Sequence, residues 1–241
     1  MLPTTKTPRK TNLTDLTCFL YGGFKVGKTT FCSQIEKALF LPTEPGLKFV
    51  EVIQEPIVDW QHFKKVRKEL QDGAVSNYSA IIIDTIDQLY KMAMDAFCEG
   101  YNIKYPTDMD QGKGWGKGWG ILNNGFVSEV MKFSRLGIGL WIVGHQSDTE
   151  IHLPTQVVKR RVPKLSQSIR ETLLGQCDLI LFADVKITQK EKGTPPGREH
   201  ILRTEPSPYW EAGGRIKGLP PEIPLDYETF IAAYNKIQEQ K

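Results

Sequence analysis

Eight consecutive residues, Gly22, Gly23, Phe24, Lys25, Val26, Gly27, Lys28 and Thr29, complete the pattern G-x-x-x-x-G-K-[ST]. No other feature constrains the fold as strongly, because this loop works only where a buried strand turns into a helix. Glycines let the backbone take positive φ, so that successive N–H groups point inward at a phosphate. A helix that follows adds the positive end of its dipole and its free N–H donors. The flanking sequence has that order: residues 16–21 read as a buried strand and residues 29–40 as the helix leading out. In such a loop Lys28 reaches the β and γ phosphates, the Thr29 hydroxyl ligates Mg²⁺, and Thr30 follows at the helix start. The expected ligand is ATP or GTP together with Mg²⁺.

The chain has 241 residues, 40% hydrophobic and 24% charged, which suits one large α/β domain with a substantial core. Its net charge of +3 says little about nucleic acid, so local clusters of charge matter more. No apolar run approaches the roughly 18 residues of a membrane helix, and no membrane partner is expected. Residues 1–10 are polar and basic, without the apolar core of a secretory signal. Cys18, Cys32, Cys98 and Cys177 form no C-x-x-C pair. That argues against a zinc site and suits free thiols in a reducing cytoplasm.

Residues 1–15 read as a loosely ordered lead-in, and residues 16–241 as a single domain with a C-terminal extension from about 205. Residues 38–41 form a second strand. Phe63, Val66 and Leu70 mark a surface helix over 59–70. Residues 79–84 are an isoleucine-rich strand, followed by a helix carrying Ile86, Leu89, Tyr90, Ala93, Met94 and Phe97 at three- and four-residue steps. A glycine-rich loop with a Gly-Lys-Gly-Trp near repeat at 112–119 precedes a helix over 121–136 and a strand over 139–144. A long polar segment, 147–164, leads to a short helix around 166–174 and a strand over 178–185. Residues 187–189 and 200–203 read as a hairpin. The last helix begins near Asp226, with Tyr227, Phe230, Ile231, Tyr234 and Ile237 on one face. Strands alternating with helices imply an α/β fold, a mostly parallel twisted sheet flanked by helices on both faces.

Ile81-Ile82-Ile83-Asp84 is an apolar strand ending in a carboxylate, at the sheet edge where α/β proteins bind ligands. Asp84 is placed to hold Mg²⁺ through water, opposite Thr29; its other reading is the N-cap of the next helix. Asp87 is the weaker acid, inside the first helical turn. Hydrolysis also needs a group that orients the attacking water. Thr85 follows Asp84, so the adjacent Asp-Glu pair of many ATPases is missing. Glu44 ends the second strand, and Pro45 biases it toward an extended conformation. On its residues alone, Glu44 reads equally as that group or as a solvated loop glutamate.

The order of the phosphate loop, Thr43-Glu44-Pro45-Gly46, Ile81-Ile82-Ile83-Asp84 and Val143-Gly144-His145-Gln146 resembles the RecA-like ATPase core. More closely, it is similar to the phage nucleotide-binding family of small RecA-like P-loop ATPases, which includes phage single-strand annealing proteins. The resemblance covers about residues 16–225. It implies that Glu44 is the catalytic glutamate and that Gln146 senses the γ-phosphate, with His145 a second candidate. Such proteins form rings or filaments in which a neighbour's Lys-x-Arg element completes each site. Here Arg215 matches the arginine, while Gly213 stands where the lysine would be.

The resemblance also turns two loops toward single-stranded DNA. One carries Lys113, Trp115, Lys117 and Trp119, cations alternating with stacking rings. The other carries Lys159, Arg160, Arg161 and Lys164, with Arg170 beyond, and no acid among them. The implied function is a Mg²⁺-dependent ATPase acting on single-stranded DNA in recombination or annealing, in the cytoplasm of a bacterial host. A homo-oligomer and a single-stranded-DNA-binding protein are the implied partners. Two other readings stand: a nucleotide or small-molecule kinase with the 159–170 cluster as a basic lid, and a nucleotide-stabilised DNA-binding module with little hydrolysis.

Overall fold

The fold, seen in a computed structural model, is described for residue 2 and residues 4–6, 12–110, 116–152, 156–188 and 196–239. In chain order the elements are β1 (Thr17–Gly22), α1 (Lys28–Ser33), β2 (Ala38–Pro42), β3 (Ile53–Gln54), α2 (Trp60–Gln71), β4 (Ala80–Asp84), α3 (Ile86–Tyr101) and α4 (Lys117–Met131). After them come β5 (Gly139–His152), β6 (Val157–Pro163), α5 (Gln167–Gln176), β7 (Leu179–Thr188), β8 (Gly197–Arg203), β9 (Gly213–Gly214), β10 (Glu222–Pro224) and α6 (Tyr227–Glu239). The sheet runs β10-β8-β7-β1-β5-β4-β2-β3, with β6 joined to β5 and β9 to β7. From β7 to β3 every pairing along this path is parallel; β8 and β10 add antiparallel strands at one side.

The central strands are apolar on both faces, and successive residues load two different cores. Phe19, Tyr21, Ile81, Ile83, Leu140 and Ile142 face one side, packed with Phe63 of α2, Leu89 of α3 and Phe126 of α4. Cys18, Leu20, Ile82, Trp141 and Val143 face the other, packed with Phe31 of α1 and Phe230 and Tyr234 of α6. Helix α2 buries Phe63, Val66 and Leu70, and the Asp59 carboxylate caps it by accepting from the His62 N–H at 2.7 Å.

Register decides where the site lies. Gly22 stands opposite His145 on β5 and Ala183 on β7, while Asp84 stands opposite Pro42 on β2 and Val143 on β5. The ends of β1, β2 and β4 therefore meet at one edge of the sheet, beside His145 of β5.

Three expectations need correction. Helix α1 ends at Ser33, not near residue 40. Lys37 takes φ 54°, reversing the chain so that 38–42 can pair between β3 and β4, and burial there outweighs helix continuation. The polar segment 147–164 is not a loop: β5 continues to His152 and pairs antiparallel with β6, Gln146 opposite Pro163 and His152 opposite Val157. Helix α4 starts at Lys117 rather than 121. Trp119 therefore lies in a helix, packed against the core, and is withdrawn from the stacking surface expected for it. Lys113 and Trp115 lie outside the described residues.

Candidate nucleotide site

The loop that joins β1 to α1 is built by close packing as much as by flexibility. A Cβ on Gly22 would stand 2.3 Å from the Ala183 carbonyl oxygen, so only glycine lets β1 run flush against β7 here. Gly27 takes φ 111° and Lys25 φ 58°, turning the loop back on itself before the helix. Val26 is buried and its carbonyl accepts from His200 Nδ1 at 2.8 Å. Phe24, at the exposed tip, lays its ring on His145 with centroids 4.2 Å apart. Gly23 and Thr30 flank the turn, Thr30 exposed at the start of α1.

Lys28 is buried, and its Nζ donates to the carbonyls of Gly22 at 3.1 Å and Gly23 at 2.8 Å. Burial pulls its pKa down against the opposing charges of Asp84, Asp87 and Glu44. The Thr29 hydroxyl donates to Asp84 Oδ2 at 2.8 Å, across the gap between α1 and β4. Burial raises the Asp84 carboxyl, with the Thr29 bond and the Lys28 charge working the other way. One hydroxyl and one carboxylate are the hard oxygen donors that suit Mg²⁺, which binds few protein groups and keeps several waters. Among the described residues no group of three His, Cys, Asp or Glu side chains gathers as an all-protein metal cage. The residues present thus fit Mg²⁺ carried in with a nucleotide.

Glu44 is brought beside Asp84 by a clasp that the sequence did not disclose. The Thr43 N–H donates to the Asp84 carbonyl at 2.8 Å. The Thr43 hydroxyl donates to the Thr85 carbonyl and accepts from the Thr85 N–H, both at 2.8 Å. Next in the chain, Glu44 projects half-exposed, with Thr85 Oγ1 at 3.4 Å and His145 Nε2 at 3.8 Å. It also lines a cleft of about 360 Å³ with Leu47, Lys48 and Gln54.

Asp87 is more than the first-turn acid expected of it. Its carboxylate accepts from the His145 N–H at 3.2 Å and lies 3.0 Å from His145 Nδ1. Burial alone would raise this carboxyl, but the His145 hydrogen bonds and charge outweigh it and hold the pKa below the usual range. Two neighbouring acids are thus driven apart, Asp84 up and Asp87 down. Gln146 follows His145 at the loop's flank, with its Oε1 4.0 Å from where a Cβ on Gly23 would stand.

The basic residues divide by their partners. Lys159 and Lys164 are exposed on the β5–β6 arm, and Arg160 is half-buried beside them. Arg161 is committed elsewhere: its Nη1 donates to Asp184 at 2.9 Å and its guanidinium lies over the Phe182 ring at 5.7 Å. Arg170 lies 3.4 Å from Glu211. Lys117 is exposed at the start of α4. Arg215 donates to Asp178 Oδ1 at 2.9 Å and to the carbonyls of Cys177 and Gly175 at 3.1 and 2.8 Å, at the end of α5. Gly214 pairs with Leu179, itself opposite Cys18, so Arg215 stands at the sheet edge away from the loop. The length of β1, roughly 20 Å at about 3.3 Å per residue, separates it from the phosphate loop of its own chain.

A profile of the AAA domain family matches residues 14–216, which takes in the loop, Glu44, Asp84, His145, Gln146 and Arg215. Among curated proteins, the chain is 26% identical over 197 residues to the SPbeta prophage-derived uncharacterized protein YorG of Bacillus subtilis (strain 168). That alignment covers 77% of this chain and 58% of the relative, so the chain spans little more than half the relative's length. Among solved structures, the crystal structure of the RadB recombinase is similar with a TM-score of 0.43 and 15% identity, over 78% of this chain and 80% of that one.

Proposed function

The chain belongs to this AAA domain family, whose members are P-loop ATPases, and from that premise we propose that it is a phage-type, Mg²⁺-dependent ATP hydrolase acting on single-stranded DNA in recombination or annealing. One observation carries the hydrolytic part: the Thr29–Asp84 pair, 2.8 Å apart, lies at the sheet edge where Lys28 and Glu44 also converge. Gly22 to Thr30 cradle the phosphates, and Lys28 takes the β and γ oxygens in place of the loop carbonyls. Thr29 and Asp84 hold Mg²⁺, which when bound neutralises charge on the phosphate oxygens. Glu44 orients the attacking water, and Gln146, beside Gly23, reads the γ position.

The DNA part rests on continuity. β5 carries Gln146 at its middle and runs unbroken into the arm that bears Lys159, Arg160 and Lys164. The Lys164 N–H donates to the His145 carbonyl at 2.8 Å, so the base of the arm is joined to the site. An arm coupled in this way can bind phosphates differently as the γ-phosphate comes and goes. Steady-state ATP hydrolysis measured while single-stranded DNA is titrated in tests this coupling. Turnover is expected to rise and saturate. Turnover indifferent to DNA, with no ATP-linked DNA binding, would sink it.

Arg215 favours a second reading, a nucleotide-stabilised assembly with little hydrolysis. Its guanidinium is held by its own chain through Asp178, Cys177 and Gly175, and a trans role as a finger requires it to leave them. Mixing Lys28→Ala subunits, which cannot bind nucleotide, with Arg215→Ala subunits separates the two. Restored turnover in the mixture supports a finger acting across the interface; none supports the assembly.

A further inference from the structure

We infer that His145 is a positioning residue for Glu44: Asp87 fixes its imidazole, and the opposite edge of the ring holds the glutamate at the mouth of the phosphate loop. The inference rests on the reading of Glu44 as the group that orients water. His145 sits in β5 directly opposite Gly22 and is buried. Its backbone N–H and Nδ1 both address Asp87, at 3.2 and 3.0 Å. An ionised carboxylate can only accept, so Nδ1 carries a proton toward Asp87, and in the imidazolium, with an N–H on both nitrogens, Nε2 is a donor toward Glu44 as well. That leaves Nε2 facing Glu44 Oε1 at 3.8 Å. Phe24 covers one face of the ring at 4.2 Å, so the imidazole is held by β5, α3 and the loop tip together.

Glu44 needs such a partner. Its side chain is 36% exposed, and its other polar contact among the described residues is the long 3.4 Å bond from Thr85. A carboxylate so loosely tied samples several rotamers, and misplacement of a reacting group by about 1 Å can cost up to about a hundredfold in rate. A histidine that only satisfied itself in the core would need Asp87 and nothing beyond it. Here the second nitrogen is turned toward the group most in need of orientation.

The test uses the full-length protein, with kcat and KM for ATP hydrolysis, ATP affinity and the melting temperature measured for each variant. His145→Ala is expected to lower kcat by about ten- to a hundredfold while ATP affinity stays within about twofold. His145→Gln, whose amide nitrogen reaches the Nε2 position, should restore much of kcat. His145→Asn, which reaches only the Nδ1 position, should not. In a Glu44→Gln background His145→Ala should cause no further loss, because both changes disable one function. Multiplicative losses, equal rescue by Asn and Gln, or loss of ATP affinity in step with kcat would each overturn the positioning role. If Glu44→Gln alone lowers kcat while His145→Ala leaves it intact, the positioning role falls and the Glu44 reading survives. If Glu44→Gln turns over normally, or the wild-type protein does not hydrolyse ATP, both fall.

Discussion

A Cβ at Gly22 would stand 2.3 Å from the Ala183 carbonyl oxygen, so alanine there must push β1 and β7 apart where the loop begins. We expect Gly22→Ala to cost about 1–3 kcal/mol of stability, read as a lower urea midpoint, and to weaken ATP binding as well. Asp84 argues in the opposite direction. Its carboxylate is buried at an energetic cost, burial pushing its pKa up, and in the proposed function it is kept for the Mg²⁺ it would hold. Asp84→Asn should therefore leave the ligand-free melting temperature unchanged or raise it, while removing the stabilisation by MgATP. A drop in ligand-free stability comparable to a core deletion would contradict the metal role. Asp84 was legible because an isoleucine run ending in Asp after a phosphate loop is a local pattern. The Asp87–His145 pair was not, since 58 residues separate its members and only the β4–β5 register brings them together.

The β5–β6 arm shows how the same basic residues divide once an element is known. Lys159 and Lys164 are exposed, whereas Arg161 spends its charge on Asp184 within a network that continues through Arg203 to Glu222 and Lys186. Replacing Lys159 or Lys164 by Ala is expected to reduce the slope of log affinity for single-stranded DNA against log salt by about 0.7 each. Basal ATP turnover should be unaffected. Arg161→Ala should instead lower the melting temperature, and an unchanged melting temperature would return Arg161 to the DNA surface. The arm was read as a loop because its composition is polar. Strand pairing there is driven by backbone bonds to β5 and by Val158 and Val162, which bury their side chains, while Val157 and Lys159 stay exposed. Tyr21 ties the arm to the loop strand: its hydroxyl lies 2.7 Å from the Glu211 carbonyl and 3.1 Å from that of Arg161. Tyr21→Phe leaves those buried groups short of a partner, at about 1–3 kcal/mol.

Across the whole molecule, helices on both faces of one sheet hold the edge at which β1, β2 and β4 end. On one face Glu129 of α4 joins α2 through Arg67 and meets Lys132. Burial alone would raise this carboxyl, but the bonds from Lys132 and Arg67 win and depress it. A depressed folded pKa gives stability that is fully present above the unfolded carboxylate value of about 4.3 and is lost as pH falls through the folded one. The gap in melting temperature between wild type and Glu129→Gln, worth about 1–3 kcal/mol at neutral pH, should thus close as pH falls below about 4. The alternation of strand and helix, the parallel sheet and the loop at its edge were legible because apolar period and glycine spacing are local. The short α1, the hairpin arm and the Thr43–Thr85 clasp depend on pairing between distant segments. In the proposed function Lys28 binds the nucleotide and Glu44 acts only on its hydrolysis. MgATP affinity and turnover, measured on Lys28→Ala and Glu44→Gln side by side, test it most directly. Lys28→Ala is expected to lose both, and Glu44→Gln to keep affinity within about twofold while losing about a hundredfold or more in turnover. Wild-type turnover in Glu44→Gln, or full affinity in Lys28→Ala, would contradict it.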